Sequence, residues 1–371
     1  MKLALREMRR RPGRFVVAWT ILALIAVLLM FLGGLLDGLL GSQTGAYRSQ
    51  QADLIVYSEN ARESLPRSQI TPEVKAEVER VEGVAEVGSL GSTQLGARPE
   101  DDPDSRDLMA VVLFGYEVAP RGVPEDPPGL GKVVADSSLR SDGVSVGDTL
   151  LIGPARTPVE VVGMVDATTY SGQASLWASI ETWRAVTDEN RPDLAGRTTV
   201  QALMVRVEAG DDPEKVAAAI DDATGETKTL TISAAIEALP GVSQQRSTFS
   251  QIIGVTALVA GVVVALFFAL ITVERTALYG ILKAIGASNR TLVGGVVLQA
   301  LVVSLAAALV GAVAALVFDV LIEPGALPFA ATPARLLTST MLLVIAGVVG
   351  SAFSLRRVLR VDPAAAIGGT P

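Results

Sequence analysis

Four apolar runs, at about 15–36, 251–273, 292–317 and 336–355, constrain this chain more than any other feature. Each is long enough to cross roughly 30 Å of hydrocarbon as a helix, which takes about 20 residues. Backbone polar groups inside a bilayer need internal partners, so runs like these cross as helices. Their spacing predicts one span, a long insert and then three spans. The expected division is a short N-terminal segment (1–14), a first span (15–39), an inserted domain (40–247) and a second span (248–273). A short loop (274–291), a third span (292–318), a loop (319–335), a fourth span (336–355) and a tail (356–371) follow. The third run is long and is expected to tilt. The first run exceeds the usual apolar core of a signal peptide, and no small-x-small cleavage pattern follows it, so it reads as an uncleaved span.

Lys and Arg set the orientation. Lys2, Arg6, Arg9, Arg10, Arg11 and Arg14 precede the first span; Arg275, Lys283 and Arg290 lie between the second and third; Arg356, Arg357 and Arg360 follow the fourth. The loop 319–335 has one Arg against Asp319 and Glu323. All of this predicts cytoplasmic termini, a cytoplasmic 274–291 loop and an inserted domain outside. No Asp, Glu, Lys or Arg falls in mid-span, which argues against an ion pathway of buried charges. Asp37 lies near the outer end of the first span and is expected in water. Gly254, Gly261, Gly294, Gly295, Gly311 and Ala315 are candidates for close helix approach.

The inserted domain is acidic. Residues 40–247 hold 33 acidic and 18 basic side chains, a net of −15 within a chain whose total is −8. About 200 residues suffice to bury a core of their own. Segments 52–58, 84–90, 108–116, 132–135, 149–152, 159–165, 201–207 and 228–232 read as strands. Segments 72–82 and 213–223 read as helices, the first with Thr71 as cap and Pro72 in its first turn. Segment 233–247 reads as a helix broken at Pro240–Gly241. Two strand–helix–strand units around an all-strand insertion predict a mixed α+β domain. The fold class is therefore an α-helical membrane protein of four transmembrane helices, with a mixed α+β extracytoplasmic domain between the first and second.

The chain contains no Cys and no His. Disulfides, thiolate metal sites and histidine general bases are excluded. It also lacks the GxSxG, HExxH, GxGxxG and GxxxxGK[ST] patterns, and the carboxylates at 100–107 lack calcium-loop spacing. They read as a solvated acidic loop, and catalysis by this chain is not expected. The segment 274–291 (ERTALYGILKAIGASNRT) does point somewhere. Leu278, Ile281, Leu282 and Ile285 fall at i, i+3, i+4 and i+7, one apolar face of a short helix. Such a face needs cover, from a partner protein or from lipid headgroups.

Several of these residues resemble a known family. Glu274-Arg275, Gly280–Ser288 (GILKAIGAS), Gln299, the Gly/Ala-rich third span and the tail 360–369 (RVDPAAAIGG) resemble the MacB/FtsX-type ABC transporter permeases. The opening MKLALRE, the compact outer domain with Asp166–Ser171 and the ending VDPxxAIGG are similar to its haem-efflux branch in Gram-positive bacteria (HrtB type). The region Ser171-Gly172-Gln173 and Leu176-Trp177 is shared with DevC-type permeases. The resemblance implies a homodimeric permease served by two copies of a separate ATPase subunit, which binds ATP and Mg. It implies that 274–291 is a coupling helix, with Leu278, Ile281, Leu282, Lys283 and Ile285 meeting the ATPase. It implies haem as substrate, taken laterally from the membrane. With His and Cys absent, Met thioether and Tyr phenolate are the remaining good axial ligands for haem iron. Met30 and Tyr170 are the candidates, with Phe31 to stack on the porphyrin and Tyr47 and Arg48 near the outer surface. The plainer readings are packing for Met30, a turn residue with its hydroxyl in water for Tyr170, an interfacial anchor for Tyr47, lipid contact for Phe31 and a headgroup contact for Arg48. Two other functions fit the same topology: a mechanotransmitter acting on lipoproteins or cell-wall hydrolases, and a membrane sensor whose outer domain is a receptor.

Overall fold

The computed structural model describes residues 12–101, 108–274, 281, 285, 288–322 and 327–359. In chain order it begins with α1 (Pro12–Arg48), β1 (Leu54–Ser58), α2 (Pro72–Val78), β2 (Val84–Pro99), β3 (Met109–Tyr116) and β4 (Lys132–Asp136). Next come β5 (Thr149–Ile152), β6 (Thr157–Val165), β7 (Ala174–Ser179), α3 (Ile180–Asn190), β8 (Ala202–Val207), α4 (Pro213–Thr224) and β9 (Thr227–Thr231). The chain then forms α5 (Ile232–Ala238), α6 (Val242–Glu274), α7 (Asn289–Leu321) and α8 (Pro333–Leu359). These elements fall into two compact units, a helical one and a mixed one spanning residues 39–245.

The helical unit contains α7, α8 and the greater part of α1 and α6. All four helices are long and apolar enough to cross a membrane. Leu24, Leu258, Leu266 and Leu309 stay exposed, as suits helices apolar on every side in a lipid solvent. Where helices meet, small residues let backbones approach. A Cβ on Gly311 would lie 2.9 Å from the Ala26 carbonyl carbon, and one on Gly261 would lie 3.3 Å from the Ala346 oxygen. Ala315 is buried as well, whereas a Cβ on Gly254, Gly294 or Gly295 would meet nothing within 4 Å.

The expectation for Asp37 is corrected. Its carboxylate is part-buried and forms an ion pair with Arg335, the guanidinium donating through both Nε (3.1 Å) and a terminal nitrogen. Thr332 Oγ1 donates to the same carboxylate at 2.9 Å. The Arg counted in the loop 319–335 thus ties the start of α8 to α1. A bidentate arginine pair with a third donor is a strong form of this interaction, and water reaches it poorly.

In the mixed unit β1-α2-β2 and β8-α4-β9 are the two expected strand–helix–strand units. They interleave into one antiparallel sheet in the order β2-β8-β1-β9. That order with two split βαβ units is a ferredoxin-like sheet. The intervening strands close on themselves as β2-β3-β7-β4-β6-β5, since β2 pairs with both β3 and β5. Closure removes open edges from this six-stranded barrel. β2 serves both halves: residues 84–90 pair with β8 and residues 90–97 with β3. Leu54, Val56, Leu113, Val133, Leu150, Val161, Leu176 and Leu203 share one hydrophobic core.

Two elements of this unit go beyond the expected set. β7 is buried on both faces. α3 follows without a linker, capped by Ser179, whose side chain accepts from Thr182 N. Trp183 of α3 lies over Gly91 and Gly115, where a Cβ would fall within 2.6 Å of the ring or its Cβ. Its indole N–H donates to Thr93 Oγ1 at 2.9 Å.

Candidate functional site

The last turns of α1 do not stop where the apolar run stops. They continue to Arg48 and are gripped by the loop after β6. Ser171 N donates to Gln43 O (3.1 Å), Gly172 N to Ser42 O (3.0 Å), and Ala46 N to Thr169 O (3.0 Å). Gly45 makes this approach possible, because a Cβ there would sit 2.6 Å from the Ala167 carbonyl oxygen. Ala167 and Ser171 hold positive φ (58° and 52°), a backbone that L-residues adopt at a cost, and the grip holds them there.

Tyr47 and Tyr170 meet inside this clamp. Their rings stack with centroids 5.6 Å apart. The Tyr47 hydroxyl shares a 2.8 Å hydrogen bond with that of Tyr57 on β1. Tyr170 also meets the edge of Phe114 (5.8 Å), and Phe114 stacks on Trp177 at 4.6 Å. The loop clamp and the strands therefore share a continuous line of aromatic rings. Tyr170 is 4% exposed, which corrects the reading of a turn residue with its hydroxyl in water. Burial pushes the phenols of Tyr57 and Tyr170 above the ordinary tyrosine range. Iron ligation requires phenolate, so the buried Tyr170 is held in the form less suited to it.

The other candidates are distributed as follows. Met30 is 1% exposed, packed among Leu22, Ala26, Val264 and Phe268 in the helical core. Phe31 stacks on Phe329 (5.5 Å) and meets Phe318 edge-on (5.6 Å). Arg48 is exposed. The structure thus brings Tyr47 and Tyr170 together in the mixed unit, while Met30 and Phe31 belong to the helical unit. Of the coupling residues, Ile281 and Ile285 are 52% and 76% exposed. Leu278, Leu282 and Lys283 lie outside the described residues.

Tyr57, Phe114 and the loop 167–172 were absent from the sequence expectations as site-forming parts. Gly45, a helix-weakening residue just past an apolar run, was the available signal.

Comparison with known families agrees with this architecture. Residues 17–223 match the MacB-like periplasmic core domain, and residues 251–363 match the FtsX-like permease C-terminal domain. The chain belongs to this family of ABC transporter permeases. One relative carries the name hemin transport system permease HrtB, from Staphylococcus haemolyticus; it is 20% identical, and the alignment covers 100% of this chain and 99% of that one. An ABC transporter permease of Mycobacterium bovis is 26% identical, with 99% of each chain covered. The solved periplasmic region of MacB from Actinobacillus actinomycetemcomitans is 12% identical and covers 50% of this chain and 92% of its own, with a TM-score of 0.36. The chain is thus a membrane permease of the ABC class with an α+β domain on the outer side.

Proposed function

We propose that this permease exports haem taken laterally from the membrane, working as a homodimer with two copies of a separate ATPase subunit that binds ATP and Mg. The termini and the 274–291 loop face the cytoplasm in this reading, following the placement of Lys and Arg. The observation that supports haem is similarity along the whole chain to relatives named for hemin transport. Ile281 and Ile285 stand free to enter an ATPase groove, with Leu278, Leu282 and Lys283 beside them in sequence. Nucleotide-driven closure would move α1, and the 167–172 clamp would carry that motion into the strands around Tyr57 and Phe114. This is coupling between two sites through one two-state element.

In the described conformation Met30 and Tyr170 are both enclosed by protein. As haem ligands they would have to open, Met30 at a dimer face and Tyr170 by release of the clamp. The test is export itself. Co-expression with the cognate ATPase in a haem-sensitive strain should restore growth at toxic haem and lower cell-associated haem. Unchanged haem content beside altered envelope integrity would overturn export in favour of mechanotransmission, the reading in which no small substrate crosses.

A further inference from the structure

The mixed unit has a further concave surface, which meets the tyrosine cluster only at Tyr170. Two adjoining cavities of about 120 and 110 Å³ share Pro66, Arg191, Leu194 and Gln201 as walls and form one groove. α3 supplies its charged side. Arg184 and Asp188 fall at i and i+4 on one face of α3, and Arg191, the first residue past its end, lines the groove beside them. Arg197 joins from the loop beyond. Three arginines against one aspartate give this lining a positive balance, in a domain whose own balance is −15. A local reversal of sign in an acidic domain attracts an anion and is not explained by the domain's general charge.

The arginines are not neutralised alike. Arg191 pairs with Asp193 at 3.6 Å, and Arg197 donates to Gln69 Oε1 and to the Asp193 carbonyl. Asp188 accepts from Gly196 N at 3.4 Å. Arg184 is different: its Nε is buried and has no hydrogen-bond partner among the described residues. A buried guanidinium N–H left unpaired is destabilising and calls for an explanation, and a ligand oxyanion supplies one. The rest of the lining is mixed: Pro66, Leu194 and Val112 are apolar, Ser92, Thr93 and Gln201 are polar and uncharged, and Tyr170 closes one end.

We propose that this groove binds a small amphipathic carboxylate. The Arg184 fork holds the carboxylate bidentately, Arg191 contributes at the rim, and the apolar body rests on Pro66 and Leu194. A monoanion suits the site better than a dianionic phosphate, because Asp188 stands on the same wall. Cavities of this size fall below the roughly 300–1,000 Å³ that hold drug-sized ligands, so the groove does not take a whole porphyrin. Tyr170 borders this groove, but the arginines that hold the carboxylate are none of the haem candidates.

The experiment uses full-length protein in detergent, with benzoate as probe and benzyl alcohol and phenyl phosphate as comparators, read by calorimetric titration. Saturable benzoate binding, at least tenfold weaker in Arg184→Gln and intermediate in Arg184→Lys, is the expected result. Benzyl alcohol should not bind, phenyl phosphate should bind more weakly, and the surface variant Arg140→Gln should bind benzoate as the parent does. If Arg184→Gln loses its circular dichroism signature, Arg191→Gln, altered at an exposed side chain, carries the test with an expected loss of at least threefold. Absence of saturable benzoate binding, equal affinity in the arginine variants, equal binding of the neutral alcohol, or tighter binding of the phosphate would each overturn the proposal.

Discussion

At the scale of single residues, the part-buried pair Asp37–Arg335 is the point of greatest consequence in the helical unit. Replacing Asp37 by Ala strands a guanidinium that is only 24% exposed. The expected cost is about 1–3 kcal/mol, seen as a lowered melting temperature in detergent, with Asp37→Asn between Ala and the parent because it can still accept from Thr332. The tyrosines give a second prediction. Burial raises the Tyr57 and Tyr170 phenols, and raises Tyr116, whose hydroxyl donates to Pro124 O, to about 12. A pKa raised in the folded state contributes stability that is whole below the unfolded value near 10 and is lost as pH climbs toward the folded values. Stability should therefore hold across neutral pH and fall above about pH 10, with absorbance at 295 nm showing delayed phenol ionisation. Early, cooperative ionisation at pH 10 in folded protein would contradict it. Tyr47→Phe removes the 2.8 Å bond to Tyr57 and should cost about 1 kcal/mol.

At the scale of elements, the clamp on α1 is the part most exposed to a small change. Gly45→Val places a side chain against the carbonyls of Ala167 and Thr169 and should release the loop. Membrane insertion should be retained, while transport falls several-fold and limited proteolysis cuts the 166–173 loop sooner; unchanged proteolysis would show that the loop tolerates the branch. Sequence periodicity identified the four spans, both strand–helix–strand units, the Thr71 cap and the break before Val242, because each carries a local signal. β7 escaped because ALA–SER steps in ASLWAS are buried on both faces and show no alternation. With β7 unseen, α3 lost its anchor, and so did the charged groove lining of Arg184, Asp188 and Arg191. The tyrosine cluster escaped for another reason: Tyr47 and Tyr57 are ten residues apart but in different elements, Tyr170 lies far along the chain, and only the pairing of β1 and the fold-back of the 167–172 loop unite them.

For the whole molecule, the test of how the permease is driven lies at 274–291. Ile281→Asp combined with Ile285→Asp puts charge on two exposed apolar positions and should abolish co-purification with the ATPase and haem-dependent growth together. Normal ATPase binding in that variant would remove this loop as the docking element. A last consequence follows from the shared strand β2. The barrel is drawn from contiguous sequence, residues 84–179, and can assemble as the chain emerges. β1, made earlier, finds its partners only in β8 and β9. At synthesis rates of about 5–20 residues per second, β1 waits on the order of ten seconds as a bare apolar strand, while the finished barrel holds β2 in register for β8 to join.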